Sequence, residues 1–326
     1  MENKAHVYAR LAEYISPENL ILYQEMDKFT SFRTWGRAEM MVVAHGLIQL
    51  LHALRVFAEE NVNFIIMGNG TNILVRDGGY DGVVLKLGDF FSKIDIRKSE
   101  DNPQTYEKTG SLSYQKTLLV AGGAVLLSQL ARAAQNAGLT GLEFAAGIPG
   151  SVGGGLFMNA GAYGGEMKDV TILAEVISRD GTERKLMELS ELELSYRHSA
   201  LQCTGDIVTR VFFQLDRGNP DEIAEKMRDF AARRNAKQPL SLPSAGSFFK
   251  RPEGYYAGAL IQEAGLKGLS VGAAQVSPLH AGFIVNNGKA KAKDIIQLME
   301  LVQNTVYDKF GVWLEPEVRI IGRDLY

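Results

Sequence analysis

Between residues 141 and 166 the chain reads GLEFAAGIPGSVGGGLFMNAGAYGGE, and no other stretch limits the possible folds as strongly. Gly147, Gly150 and Gly153 recur at every third position, Gly154 and Gly155 follow, and Asn159, Ala160 and Gly161 stand behind them. Loose linkers draw on Ser, Pro and charge, whereas these glycines sit among Ala, Ile, Val, Leu, Phe and Met. Glycine in apolar company marks backbone held close to another body, either a packed helix or a flat or extended ligand. Ile148, Pro149 and Ser151 lead into a short helix whose first amides are suited to an anion.

A second glycine loop, MGNGTN at 67–72, follows a short buried strand. Its successive amides can form an anion-binding nest, or it is an ordinary turn. Two familiar phosphate loops fail here. A Walker loop needs Gly-Lys-Ser/Thr, and no lysine is present. A dinucleotide fingerprint needs a third glycine and a following helix, but that position is Ile73 and the next residues alternate like a strand. Phosphate held by Gly68, Asn69, Gly70, Thr71 and Asn72 therefore sits on neither of those folds.

The 326 residues suffice for two or three domains. Lys and Arg total 35 against 38 Asp and Glu, a net charge of −3, which argues against nucleic acid as a partner. The single Cys203 excludes an internal disulfide and weighs against a thiolate metal site; no metal is expected. No apolar run is long enough to span a bilayer and the N-terminal stretch lacks a signal core, so a cytoplasmic chain is expected.

Periodicity predicts an N-terminal helix, a strand at 40–44, a helix at 46–61 and a strand at 63–68. A strand–turn–strand follows over 73–87, then a surface hairpin over 92–120. A helix over 126–139 stops at Gly138. Strands are expected at 170–189 and 206–215, a helix from Asn219 and Pro220 to about 235, a last helix around 291–310, and a strand at 312–322.

Tyr196, Arg197 and His198, expected at a helix end, offer either a carboxylate grip or a structural salt bridge. Glu315, Glu317 and Arg319 share one strand face, which is either solvated or supplies an acid. Ser247, in PSAGSFFKRP, lacks the second glycine of a nucleophile elbow, since Phe249 stands there. A serine hydroxyl without a histidine can instead donate a proton to a carbanion formed beside it.

Taken together, MGNGTNILVRDGGYDGVV, the 141–166 stretch, YRHS, PSAGSFFKRP, AQVSPLHAGFIVN and LEPEVRIIG occur in an order that resembles the UDP-N-acetylenolpyruvoylglucosamine reductase family, from residue 30 almost to the C-terminus. That resemblance implies an α+β chain with a vanillyl-alcohol-oxidase-type (PCMH-type) FAD-binding fold in two subdomains, 1–67 with 318–326 and 68–216. A smaller α+β substrate domain occupies 217–317. It implies FAD held by the two glycine loops, NADPH as hydride donor, and reduction of an enolpyruvyl ether in peptidoglycan precursor synthesis. The alternative is another FAD oxidoreductase of the same fold, such as a sugar or lactone oxidase.

Matched motif by motif, the resemblance makes Arg197 the clamp on the substrate carboxylate, Ser247 the proton donor and Glu317 the third catalytic member. Tyr196, Lys237, Lys250 and Asn286 are implied substrate contacts. Only nine residues separate Ser199 from TRVFFQL, so the chain resembles the short-loop (type II) subclass; Tyr255 and Tyr256 are candidates to cover the uridine. Small molecules are the only partners expected.

Overall fold

The computed structural model describes residues 3–97 and 116–325. A four-stranded sheet opens the fold, in the order Leu20–Glu25, Arg37–Ala44, Tyr80–Leu87, Phe64–Ile66. The first pair is antiparallel and the other two pairs are parallel. From Met40 onward Arg37–Ala44 is apolar on both faces because both are covered. Met40, Val42 and Ala44 meet Val7 and Leu11 of helix Lys4–Leu11 and Leu50, Leu54 and Phe57 of helix Leu47–Glu59, while Ala38 and Met41 pack with Met26, Met67 and Val75.

This sheet revises two expectations. The segments Ile73–Val75 and Tyr80–Leu87 do not pair with each other. The first lies parallel to Arg319–Ile321, and the second enters the sheet between its neighbours from 37–44 and 64–66. The first sheet thus runs on to Leu87, past the break expected after residue 67, because Val83 and Leu85 are buried in its core.

A second sheet is six-stranded, with Arg184–Glu188, Thr171–Ile177, Ile207–Arg217, Lys116–Gly122 and Ile94–Arg97 in order and Leu139–Thr140 beside Ile207–Arg217. Helices Leu127–Asn136 and Val152–Phe157 contribute Leu127, Leu130, Val152 and Leu156 to the core it shares with Val211 and Phe213. The longer helix ends where expected, with Gly138 left-handed at φ 66°. Most of the hairpin expected over 92–120 lies outside the described residues; the strands Ile94–Arg97 and Lys116–Gly122 pair antiparallel.

Helix Pro220–Lys237, capped by the Asn219 side chain on the Asp221 amide, leads into the third core. There helices Ala257–Glu263 and Ala292–Phe310 cover a small sheet of Ser270–Val271, Ala274–Val276 and Ile284–Asn286. Phe32 and Leu74 belong to this same core although they lie far upstream. The expected strand over 312–322 is regular only at Arg319–Ile321.

Candidate active site

Two backbone devices carry the three residues that the sequence singles out. The first is a tight turn rather than the expected helix end. Ser195 and His198 exchange two backbone hydrogen bonds, at 3.3 and 3.1 Å, and Arg197 between them takes φ 55°. A left-handed arginine is held only where its surroundings fix it. Asn159 Nδ2 donates to the Ser195 carbonyl at 3.0 Å, and Gln202 Nε2 donates to the Arg197 carbonyl at 3.0 Å.

The second device is an irregular ladder. Phe248 N donates to Gly282 O, Glu317 N to Phe248 O and Lys250 N to Glu315 O, each within 2.9 Å. Phe248 is fully buried and anchors it, which leaves Ser247 exposed toward the cavity and brings Glu317 beside it.

Turn and ladder meet around one cavity of about 720 Å3, lined by Arg197, Ser247 and Glu317 with Tyr196, Arg251, Tyr256 and His280. That size suits a drug-sized or nucleotide-sized ligand. Arg197 Nε lies 2.7 Å from Glu317 Oε1, but its N–H is not aligned with an acceptor, so the contact is an ion pair rather than a hydrogen bond. Burial pushes the Glu317 carboxyl above its ordinary value, against the opposing pull of Arg197 and Lys250. The Ser247 hydroxyl has no hydrogen-bond partner among the described residues. Nor is His280 a base for it through Nδ1, which accepts from the Gly282 amide at 3.1 Å. Burial lowers the His280 pKa, and Lys267 and Lys237 add to the effect.

The proposed substrate contacts divide. Tyr196 lines the cavity, and its hydroxyl accepts from the Arg251 amide at 3.0 Å. Lys237 lies at the end of its helix, close enough to act on His280. Lys250 does not line the cavity; its ammonium is 2.5 Å from Glu315. Asn286 is a correction. It is buried, with Nδ2 on the Phe32 carbonyl and Oδ1 on the Ala290 amide, so neither end is free for a ligand. Tyr256 lines the cavity with the Arg251 guanidinium 4.7 Å from its ring, and Tyr255 does not. Arg251 and Gln262 are among the polar cavity residues that motif reading missed, with Tyr163, Glu166 and His280. The signals were there: Arg251 directly follows SFFK, and Gln262 lies one helical turn from Gly258.

The two glycine loops lie against each other outside this cavity. Asn69 Nδ2 donates to the Pro149 carbonyl at 2.6 Å, a Cβ at Gly68 would overlap Ser151 Oγ, and one at Gly150 would touch Thr71. The amides of Gly68, Asn69, Gly70, Thr71, Gly150 and Ser151 donate to no acceptor among the described residues. Six free amides on side-chain-free backbone fit the phosphates of a nucleotide cofactor. The expected helix N-terminus does not contribute. Helix Val152–Phe157 forms, but its first three amides bond to Val125 O, Gly123 O and Ser151 Oγ. Gly153 therefore packs on Gly123, and Gly154 on its own cap.

Two asparagines in these loops are braces. Asn72 Nδ2 holds the Glu317 carbonyl at 3.0 Å. Asn159 is fully buried, donates to Glu166 and Ser195, and accepts from the Lys168 amide. Gly161 lines the cavity, whereas Gly147 faces Arg234. Among the described residues no group of three or more His, Cys, Asp or Glu is placed to hold a metal ion, and no helix is long and apolar enough to cross a membrane.

The FAD binding domain family matches residues 38–187, and the family described as UDP-N-acetylenolpyruvoylglucosamine reductase, C-terminal domain, matches residues 238–321. A protein of Alkaliphilus oremlandii named UDP-N-acetylenolpyruvoylglucosamine reductase is 44% identical over 322 residues, which is 99% of this chain and 100% of the relative. The chain belongs to the UDP-N-acetylenolpyruvoylglucosamine reductase family. A reductase of the same name from Clostridioides difficile is 43% identical over 324 residues, covering 99% and 100% of the two chains. The crystal structure of the Thermus caldophilus reductase superposes with a TM-score of 0.75 at 33% identity, over 93% of this chain and 98% of that one. The reductase fold, with its FAD-binding domain, is therefore the fold of this chain.

Proposed function

We propose that Arg197, Ser247 and Glu317 act together on the enolpyruvyl group of a UDP-sugar. Family membership gives the reaction: the chain is an FAD-dependent oxidoreductase that reduces UDP-N-acetylenolpyruvoylglucosamine in peptidoglycan precursor synthesis, with NADPH as reductant. The observation that supports the residue roles is the 2.7 Å approach of Arg197 to Glu317 on the cavity that Ser247 also lines.

The two glycine loops would hold FAD, which when bound would supply the hydride chemistry with NADPH as reductant. Addition at the methylene carbon of the substrate drives an electron pair toward the adjacent carbon and its carboxylate. Arg197 lies where it can meet charge that develops only at that moment, which favours the transition state over the bound substrate. Glu317, its carboxyl raised by burial, is the partner that holds Arg197 in place and shares the substrate carboxylate when protonated. The unpartnered Ser247 hydroxyl donates its proton to the carbanionic carbon and recovers one from water entering the cavity. Tyr196 and Lys237 are the substrate contacts retained from the sequence; Arg251 and Tyr256 join them as cavity residues.

The division of the chain is proposed as one unit of 3–91 with 319–321, a second from 94 around the six-stranded sheet to residue 217, and a third from 220 to 318. A cytoplasmic location fits a soluble nucleotide-sugar substrate and NADPH. The test is anaerobic spectroscopy of the purified protein: NADPH bleaches the flavin, and the enolpyruvyl UDP-sugar restores its colour. Recovery with oxygen alone would move the chain to the oxidase reading.

A further inference from the structure

Several cations of this protein meet a carboxylate, even on the surface, as Arg10 does with Glu59 and Glu60 and Arg210 with Glu175. Three cations beside the glycine loops meet no carboxylate among the described residues. Lys86 reaches the Gly68 carbonyl at 2.7 Å and faces the Phe29 ring, without a carboxylate. Arg234 makes no side-chain hydrogen bond or ion pair among the described residues, and its guanidinium would lie 3.3 Å from a Cβ at Gly147. Arg319 stands over the Phe157 ring at 4.8 Å, and its own amide holds the Asn72 carbonyl.

They come from three different parts of the fold: the first sheet, the helix Pro220–Lys237 and the strand Arg319–Ile321. Yet each touches one of the two glycine loops, Lys86 with its ammonium and Arg319 with its backbone amide the loop at 67–72, and Arg234 with its side chain the loop at 147–151. Burial lowers the pKa of all three, and no carboxylate opposes it. Arg319 keeps one side open to solvent while protein packs round the other. Surrounding a cation with protein and leaving it without a counter-charge is unfavourable. The free amides of Gly68 to Thr71, Gly150 and Ser151 lie on those same loops.

We propose that Lys86, Arg234 and Arg319 are the counter-charges of the cofactor's pyrophosphate, which bridges the two glycine loops. The inference rests on the FAD reading and adds what that reading lacks: the loops supply donors but no charge, and these three side chains supply it. Without the dianion each is partly stripped of water with no carboxylate to offset it, so the flavin-free chain carries an electrostatic penalty that FAD removes.

The test compares wild type with Arg234→Met, Arg319→Gln, Lys86→Met and the charge-preserving Arg234→Lys. FAD dissociation constants are measured by equilibrium dialysis at low and high salt, and melting temperatures with and without FAD. Each neutral variant should bind FAD roughly tenfold to a hundredfold more weakly, with a shallower salt dependence, while Arg234→Lys keeps most of the affinity. The flavin-free Arg234→Met and Arg319→Gln chains should melt no lower than wild type, because an unpaired charge has been removed. A structural role predicts the opposite sign there. If wild type binds FAD and the neutral variants bind it equally well, or their flavin-free forms melt lower, the inference fails and the FAD reading stands. A wild type that takes up no FAD overturns both.

Discussion

Arg197 Nε and Glu317 Oε1 sit 2.7 Å apart although one belongs to a turn braced by Asn159 and the other to a ladder anchored by Phe248. Neither segment could place its own residue alone. The ion pair exists because two separately packed cores, one around the six-stranded sheet and one around the helix Ala292–Phe310, present their edges to one cavity.

Ser247→Ala should leave flavin reduction by NADPH nearly intact and slow reoxidation by the enolpyruvyl substrate by about a hundredfold to ten-thousandfold, the usual cost of a lost proton donor. Ser247→Cys should retain more of that step than alanine does. Stopped-flow absorbance of each half-reaction separates the two rates, and equal slowing of both would refute the assignment.

Glu317 predicts a pH signature. Its folded pKa is raised, chiefly by burial, above the ordinary value of 4.5. Such a carboxyl contributes stability that is fully present below the unfolded pKa and is lost as pH rises through the folded one. Glu317→Gln abolishes that loss. Urea denaturation of both proteins from about pH 4 to about pH 8 should show wild type losing ground to the variant as pH rises. A difference that stays constant over the range would contradict it.

Glu175 predicts the reverse. Burial alone would raise its pKa, but hydrogen bonds from Arg210, Arg184 and Thr209 hold it at about 2. Its contribution is present above the ordinary 4.5 and disappears as pH falls toward about 2. Glu175→Gln should therefore be less stable than wild type near neutrality, with the gap closing in acid. A gap that widens in acid would show the carboxylate to be a burden instead.

Gly70 sits at φ 63°, and a Cβ there would collide with the Phe29 carbonyl. Gly70→Ala combines an unfavourable backbone with a backbone overlap, so it should cost about 1–3 kcal/mol and lower the flavin content of the purified protein. Unchanged flavin at unchanged melting temperature would place the loop outside the cofactor site.

Much of the site was legible because its residues lie in short motifs: Gly68, Gly70 and Gly150 of the two loops, Ser247 of SFF and Glu317 of EPE. What stayed hidden depends on partners distant in sequence. Asn72, Asn159 and Asn286 look like ligand contacts until the carbonyls that they hold, in Glu317, Ser195 and Phe32, are brought to them by folding. The turn at 195–198 resembles a helix end because two backbone bonds leave no periodic mark. Likewise Tyr80–Leu87 alternates as a hairpin strand would, and only burial on both faces shows that it is interior to a sheet.

The pairing of Ile73–Val75 with Arg319–Ile321, sealed by Asn72 on Glu317 across 245 residues, also has a temporal meaning. A ribosome delivers the first glycine loop long before the strand that completes it. Until residues 317–321 emerge, that loop lacks its neighbouring strand, and the carboxyl that faces Arg197 does not yet exist. Closing so long a segment is slow relative to local helix formation. Cofactor uptake should therefore be a late event in the biogenesis of this enzyme, and the partly made chain should be its most aggregation-prone form.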